Sequence, residues 1–108
     1  SKRTRGLITR DDLARMKPTS YLVNTARGPI VEETALIDTL QRRAIAGAGL
    51  DTFWQEPLPV AHPLRGLDNV VLTPHLGYVT RENYRRYYGD MVEDIAAWLD
   101  GVPVRVMT

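Results

Sequence analysis

The chain has 108 residues, 44% hydrophobic and 25% charged, enough for one small domain with a core of its own. Lys and Arg number 14 against 13 Asp and Glu, a net charge of +1 that gives no reason to expect nucleic acid or an anionic membrane as a partner. The lack of cysteine excludes disulfides, thiolate chemistry and zinc-thiolate sites, and fits a reducing, cytoplasmic setting. No apolar run approaches a membrane span, and the basic start at Ser1 to Arg5 has no apolar stretch behind it to make a secretory signal. The chain has no starting Met and opens in mid-pattern, so a piece of something longer is expected.

In chain order, Gly6 breaks a basic segment, and Thr9-Arg10-Asp11-Asp12 reads as a helix start. Thr9 can accept from the Asp12 amide, Asp12 can reach back, and Ile8 and Leu13 sit at staple positions. Pro18 stops that helix soon after Met16. Residues 21–25 form a compact apolar run without alternation, which predicts a strand buried on both faces of a parallel sheet. Gly28-Pro29 ends it, and Glu32-Glu33 open a second helix with Leu36, Ile37, Leu40 and Ala44 on one face. Residues 46–53 are a second apolar run rich in Gly and Ala, whose small side chains allow close approach. A loop with Pro57, Pro59 and Pro63 leads to a third short strand at residues 70–73. Thr80 caps a long final helix with an apolar stripe from Tyr84 to Leu99, ended by Gly101 and Pro103.

Strands alternating with helices predict an α/β fold, a parallel sheet of about three strands with flanking helices. The connection between the second and third strands is too Pro-rich for a full crossover helix. In such a sheet ligands bind beyond the carboxyl ends of the strands. Arg27 lies just past strand one, Asp51 near the end of strand two with Glu56 beyond it, and His75 just past strand three. Taken singly, each has an ordinary explanation. An Arg is commonly a surface cation, a His a structural one, Glu56 a solvated loop carboxylate and Asp51 a backbone cap. Together on one sheet edge they make a cation for a carboxylate, a proton donor and acceptor, and a carboxylate to orient the His ring. His62, in the middle of the Pro-rich loop, reads as a surface residue. Tyr84, Tyr87 and Tyr88 are at helical spacing and read as packing residues. Gly47-Ala48-Gly49 is the nearest approach to a dinucleotide fingerprint, and Thr52 stands where its third Gly would be. No residue set is a candidate for a metal site.

Three blocks carry a family resemblance: Asn24-Thr25-Ala26-Arg27-Gly28, then residues 48–58 ending in Gln55-Glu56-Pro57-Leu58, then residues 69–77 through Thr73-Pro74-His75-Leu76-Gly77. In order and spacing they resemble the D-isomer-specific 2-hydroxyacid dehydrogenases. The resemblance implies a partial Rossmann-type, doubly wound sheet and hydride transfer between NAD or NADP and C2 of a small 2-oxo or 2-hydroxy acid. It implies catalytic roles for Arg27 as the carboxylate grip, His75 as the acid and base, and Glu56 as its partner. For the cofactor it implies Thr25, Ala26 and Arg27 around the nicotinamide ribose, Asp51 at the carboxamide, and His75 and Gly77 nearby. Tyr78, Val79 and Trp54 depart from the common pattern.

The resemblance covers the last third of such an enzyme. Residues 1–79 would be the C-terminal half of the nucleotide-binding domain, and residues 80–108 a terminal helix and tail that pack back on a substrate domain. The isolated 108 residues are then expected to be inactive. A homodimer, or self-association through the final helix, is the expected assembly. The alternatives are a corepressor-like module that binds NAD(H) and a partner protein on the same fold, and a truncated product with no function.

Overall fold

The computed structural model describes residues 2–107 and divides after Leu76 into two compact units. The larger unit is built on three short strands: β1 (Tyr21–Asn24), β2 (Gly47–Leu50) and β3 (Val70–Leu72). All pairs are parallel, in the order β1-β2-β3, with Val23 opposite Gly49 and Gly49 opposite Val71. Two helices accompany them, α1 (Arg10–Ala14) and α2 (Glu33–Gln41).

Local chemistry explains the helix ends. Thr9 caps α1 and shares a reciprocal capping box with Asp12, whose carboxylate accepts the Thr9 amide at 2.9 Å. That bond, followed by the one from the Thr9 hydroxyl, holds the Asp12 carboxyl below its usual range. Arg10 of α1 donates to Asp38 of α2 at 2.7 Å, and Arg42 reaches the same carboxylate at 2.9 Å. Ile8 forms a parallel bridge with Val31, so the chain entering α1 and the chain entering α2 run side by side.

The core lies on one side of the sheet. Leu13 of α1, Leu36 and Leu40 of α2, Ala48 and Leu50 of β2, and Leu64 of the loop are all buried together. Removing any of the fully buried Leu side chains would cost about 2–5 kcal/mol. The other side of the sheet corrects the expectation for strand one. Tyr21 and Val23 are each 72% exposed and Val71 is 68% exposed. The apolar run is suited to two-sided burial, but among the described residues both α1 and α2 contribute to the core on one side only.

Gly47 has a specific reason to be Gly: a Cβ there would run into the Asn69 carbonyl. The connection from β2 to β3 contains one short 3-10 helix, Pro63–Gly66, so the parallel pair is joined without a crossover α-helix, as the prolines imply.

The second unit, which begins at Gly77, carries α3 (Arg81–Leu99). Thr80 caps it by accepting the Asn83 amide at 3.1 Å. Tyr84 and Tyr88 meet edge to face at 5.8 Å, yet the whole stripe, including Met91, Ile95 and Trp98, is exposed. The expectation that these tyrosines pack therefore holds only between the two rings. Arg105 of the tail binds Glu93 and Asp94 at 2.6 Å each, and these bonds hold its guanidinium protonated well above the ordinary range. No helix among the described residues is long and apolar enough to cross a membrane.

Candidate active site

The candidate residues Arg27, Asp51, Glu56 and His75 all follow the carboxyl ends of the strands. At the end of β1 the chain is bent by Asn24, which is buried. Its side-chain oxygen accepts the Ala26 amide at 3.1 Å and its side-chain nitrogen donates to the Arg27 carbonyl at 2.9 Å. One amide group thus holds the Thr25-Ala26-Arg27 turn at both ends. The Arg27 guanidinium folds back to donate to the Ala26 carbonyl at 2.6 Å.

Gly28 then allows a close approach that no other residue would. A Cβ at this position would fall on the Phe53 carbonyl and the Trp54 amide nitrogen. The turn after β1 and the turn after β2 are therefore in backbone contact, with Arg27 on one and Glu56 on the other. Glu56 is locked into its turn by the Phe53 amide, which donates to Oε1 at 2.9 Å. The Glu56–Pro57 bond is cis.

His75 comes from the end of β3. Its amide donates to the Thr73 carbonyl at 3.0 Å across Pro74, and its φ of 57° lies in the left-handed region, which His tolerates better than most side chains. The ring is placed between two partners. Nδ1 lies 2.7 Å from Glu56 Oε2, and Nε2 lies 3.5 Å from Arg27 Nη1. The His75 bond first, and the Phe53 amide second, hold the Glu56 carboxyl below its usual range. An ionised carboxylate only accepts, so Nδ1 carries the hydrogen and Nε2 is the atom turned toward Arg27. The three catalytic candidates are together, in the order carboxylate, imidazole, guanidinium.

Asp51 is buried directly after β2. Its Oδ1 accepts the Thr73 hydroxyl at 2.5 Å and the Leu76 amide at 2.8 Å, and its amide donates to the Asn24 carbonyl at 3.0 Å. It ties the ends of all three strands together. Thr25 and Ala26 directly follow β1, whose last residue Asn24 pairs with Leu50, the residue before Asp51, and Gly77 is the first residue of the other unit. A cleft of about 480 Å³ opens beside the Glu56–His75 pair, lined by Phe53, Leu58, Arg65, Leu72 and Pro74. Among the described residues no cluster of His, Asp or Glu could hold a metal ion.

Residues 1–77 match the family described as D-isomer specific 2-hydroxyacid dehydrogenase, NAD binding domain. The chain belongs to this family. Over 94% of its length it is 48% identical to a glyoxylate reductase of Thermofilum pendens, covering 30% of that protein. A glyoxylate/hydroxypyruvate reductase B of Enterobacter agglomerans is 46% identical over the same share of the chain, 31% of the relative. Among solved structures, D-lactate dehydrogenase with NAD+ from Lactobacillus jensenii superposes over 100% of the chain and 36% of that enzyme, with a TM-score of 0.85 and 31% identity. The sheet is Rossmann-type, as the resemblance implies, and the chain spans about a third of the length of these relatives.

His62 is no surface residue. Its side chain is 10% exposed and Nε2 lies 3.0 Å from Glu33 Oε1 of α2. Its Nδ1 accepts the Leu64 amide at 3.3 Å, a local cap that His before Pro at a turn start could have signalled. The sequence pattern assigns no task to the buried Asn24, and gives Gly28 only the ending of the first strand.

Proposed function

We propose that this chain supplies the catalytic edge of a nicotinamide-dependent D-2-hydroxyacid dehydrogenase about three times its length. The observation that carries the reading is His75, with Nδ1 on the Glu56 carboxylate and Nε2 facing the Arg27 guanidinium. In the reduction direction, Arg27 binds the carboxylate of a 2-oxo acid through its planar fork. His75 delivers the proton from Nε2 to the carbonyl oxygen at C2 and is left neutral. Glu56 stays ionised throughout, fixing the ring and stabilising the imidazolium before transfer. NAD or NADP, when bound, supplies the hydride that adds to C2. Hydride and proton together convert the C2 carbonyl to the alcohol, and the reverse reaction returns the proton to His75.

The residues fit the nicotinamide end of such a cofactor. The turn at Thr25, Ala26 and Arg27, the Asp51 carboxylate and Gly77 are assigned to it. The 108 residues contain no Gly-x-Gly-x-x-Gly run to cradle the pyrophosphate. Residues 1–79 accordingly act as the C-terminal half of a nucleotide domain. The exposed stripe of residues 80–108 is assigned to packing on a substrate domain, and the working assembly is a homodimer in the cytoplasm. The relatives reduce substrates of the class their names give, glyoxylate and hydroxypyruvate, and a small 2-oxo acid is the substrate class proposed here.

The test is NADH or NADPH oxidation with glyoxylate, pyruvate and hydroxypyruvate. Turnover is expected from the full-length protein and none from the isolated 108 residues. Turnover by the isolated chain would refute the division of labour, and none by the full-length protein would refute the activity.

A further inference from the structure

Arg27 and Glu56 stand on different turns, and the reaction proposed above needs their spacing held closely, since a misplacement of about 1 Å can cost around 100-fold in rate. Besides the Gly28 approach and the His75 bridge, a side-chain brace spans those two turns. The Trp54 indole, two residues before Glu56, reaches across to donate from Nε1 to the Val31 carbonyl at 2.7 Å, just past the Arg27 turn. The His62 ring lies parallel to it, with centroids 6.4 Å apart and an interplanar angle of 10°. His62 is itself held from both sides. The Leu64 amide donates to Nδ1, so the hydrogen sits on Nε2, which faces Glu33 in the first turn of α2. The brace therefore starts on the Glu56 turn and ends on the segment that follows Arg27, with His62 backing the indole.

We propose that Trp54, backed by His62, is a positioning element that sets the distance between Arg27 and the Glu56–His75 pair. It rests on the dehydrogenase reading above. Neither side chain touches substrate; both act through the two turns. Trp54→Phe keeps a ring against His62 but deletes the donor to Val31. His62→Gln keeps one acceptor and one donor, whereas His62→Ala keeps neither.

The experiment is steady-state kinetics of the full-length dehydrogenase with glyoxylate, alongside NADH dissociation constants and melting temperatures. Trp54→Phe and His62→Ala are expected to lower kcat/KM for the oxo acid roughly tenfold with NADH affinity within about twofold, and His62→Gln to recover most of the loss. Values of kcat/KM within about twofold of wild type for Trp54→Phe and His62→Ala would overturn the proposal, whatever the melting temperatures do. An equal loss of NADH affinity, or a His62→Gln variant as impaired as His62→Ala, would also overturn it. Arg27→Ala is the control. If it collapses turnover while the brace variants do not, only the brace fails. If Arg27→Ala is itself fully active, the site reading fails and the brace with it. Should Trp54→Phe not fold, the two His62 variants decide the matter.

Discussion

Arg27 Nη1 lies 3.5 Å from His75 Nε2, although 48 residues separate the two in sequence. Nothing local brings them together. Each is fixed by its own turn: Asn24 bends the chain under Arg27, and a left-handed backbone at residue 75 aims the imidazole. A guanidinium and a ring nitrogen converging on one point suit a ligand that presents a carboxylate oxygen beside a carbonyl oxygen.

The Glu56 carboxyl, held below its usual range by His75 and then by the Phe53 amide, makes a signed prediction. A depressed folded-state value means a stabilising contribution that is complete above the unfolded-state value, about 4.3. It is lost as pH falls through the lower folded-state value. Glu56→Gln should therefore flatten part of the acid limb of the melting temperature between about pH 5 and 3. Asp12 and Asp38 share that sign and will keep the rest of the limb. An acid limb identical to wild type would show that the Glu56–His75 bond does not form.

Gly28→Ala should be far more damaging than an exposed Gly-to-Ala change. The added Cβ has to displace the Phe53–Trp54 backbone, and with it the turn that carries Glu56. A destabilisation of roughly 1–3 kcal/mol is expected, in line with overpacking. Thermal melts would measure it, and kcat/KM of the full-length variant should fall more than the lost stability explains. A neutral melt would contradict the close approach.

Thr52 predicts the opposite sign. Its side chain is buried at 1% exposure, and Oγ1 has no hydrogen-bond partner among the described residues. Thr52→Val removes the unsatisfied hydroxyl at similar shape, and about 1 kcal/mol of stabilisation is expected. For a domain of this size that raises the melting temperature by roughly 4–8 °C. A lower melting temperature would mean the hydroxyl is bonded.

The periodicity of the chain made much of this legible. The capping box at Thr9 and Asp12, the three strands and their parallel sense, and the placing of Arg27, Glu56 and His75 on one edge all follow from local pattern plus the rule that ligands bind past strand ends. What was not legible depends on contacts between distant turns. The Gly28 approach to Phe53 and the pairing of His62 with Glu33 and Trp54 join residues with no periodic relation. The exposed side of β1 was hidden for another reason: an apolar run reports what a strand is suited to, and not which layers are present to cover it.

In the proposed reaction Arg27 captures the oxo acid and His75 protonates it. Steady-state kcat and KM for glyoxylate in the full-length protein carrying Arg27→Ala or His75→Ala test both roles. Arg27→Ala should raise KM strongly, and His75→Ala should lower kcat by about 100-fold or more, the scale of lost general acid catalysis. Near-wild-type constants in both variants would contradict the account.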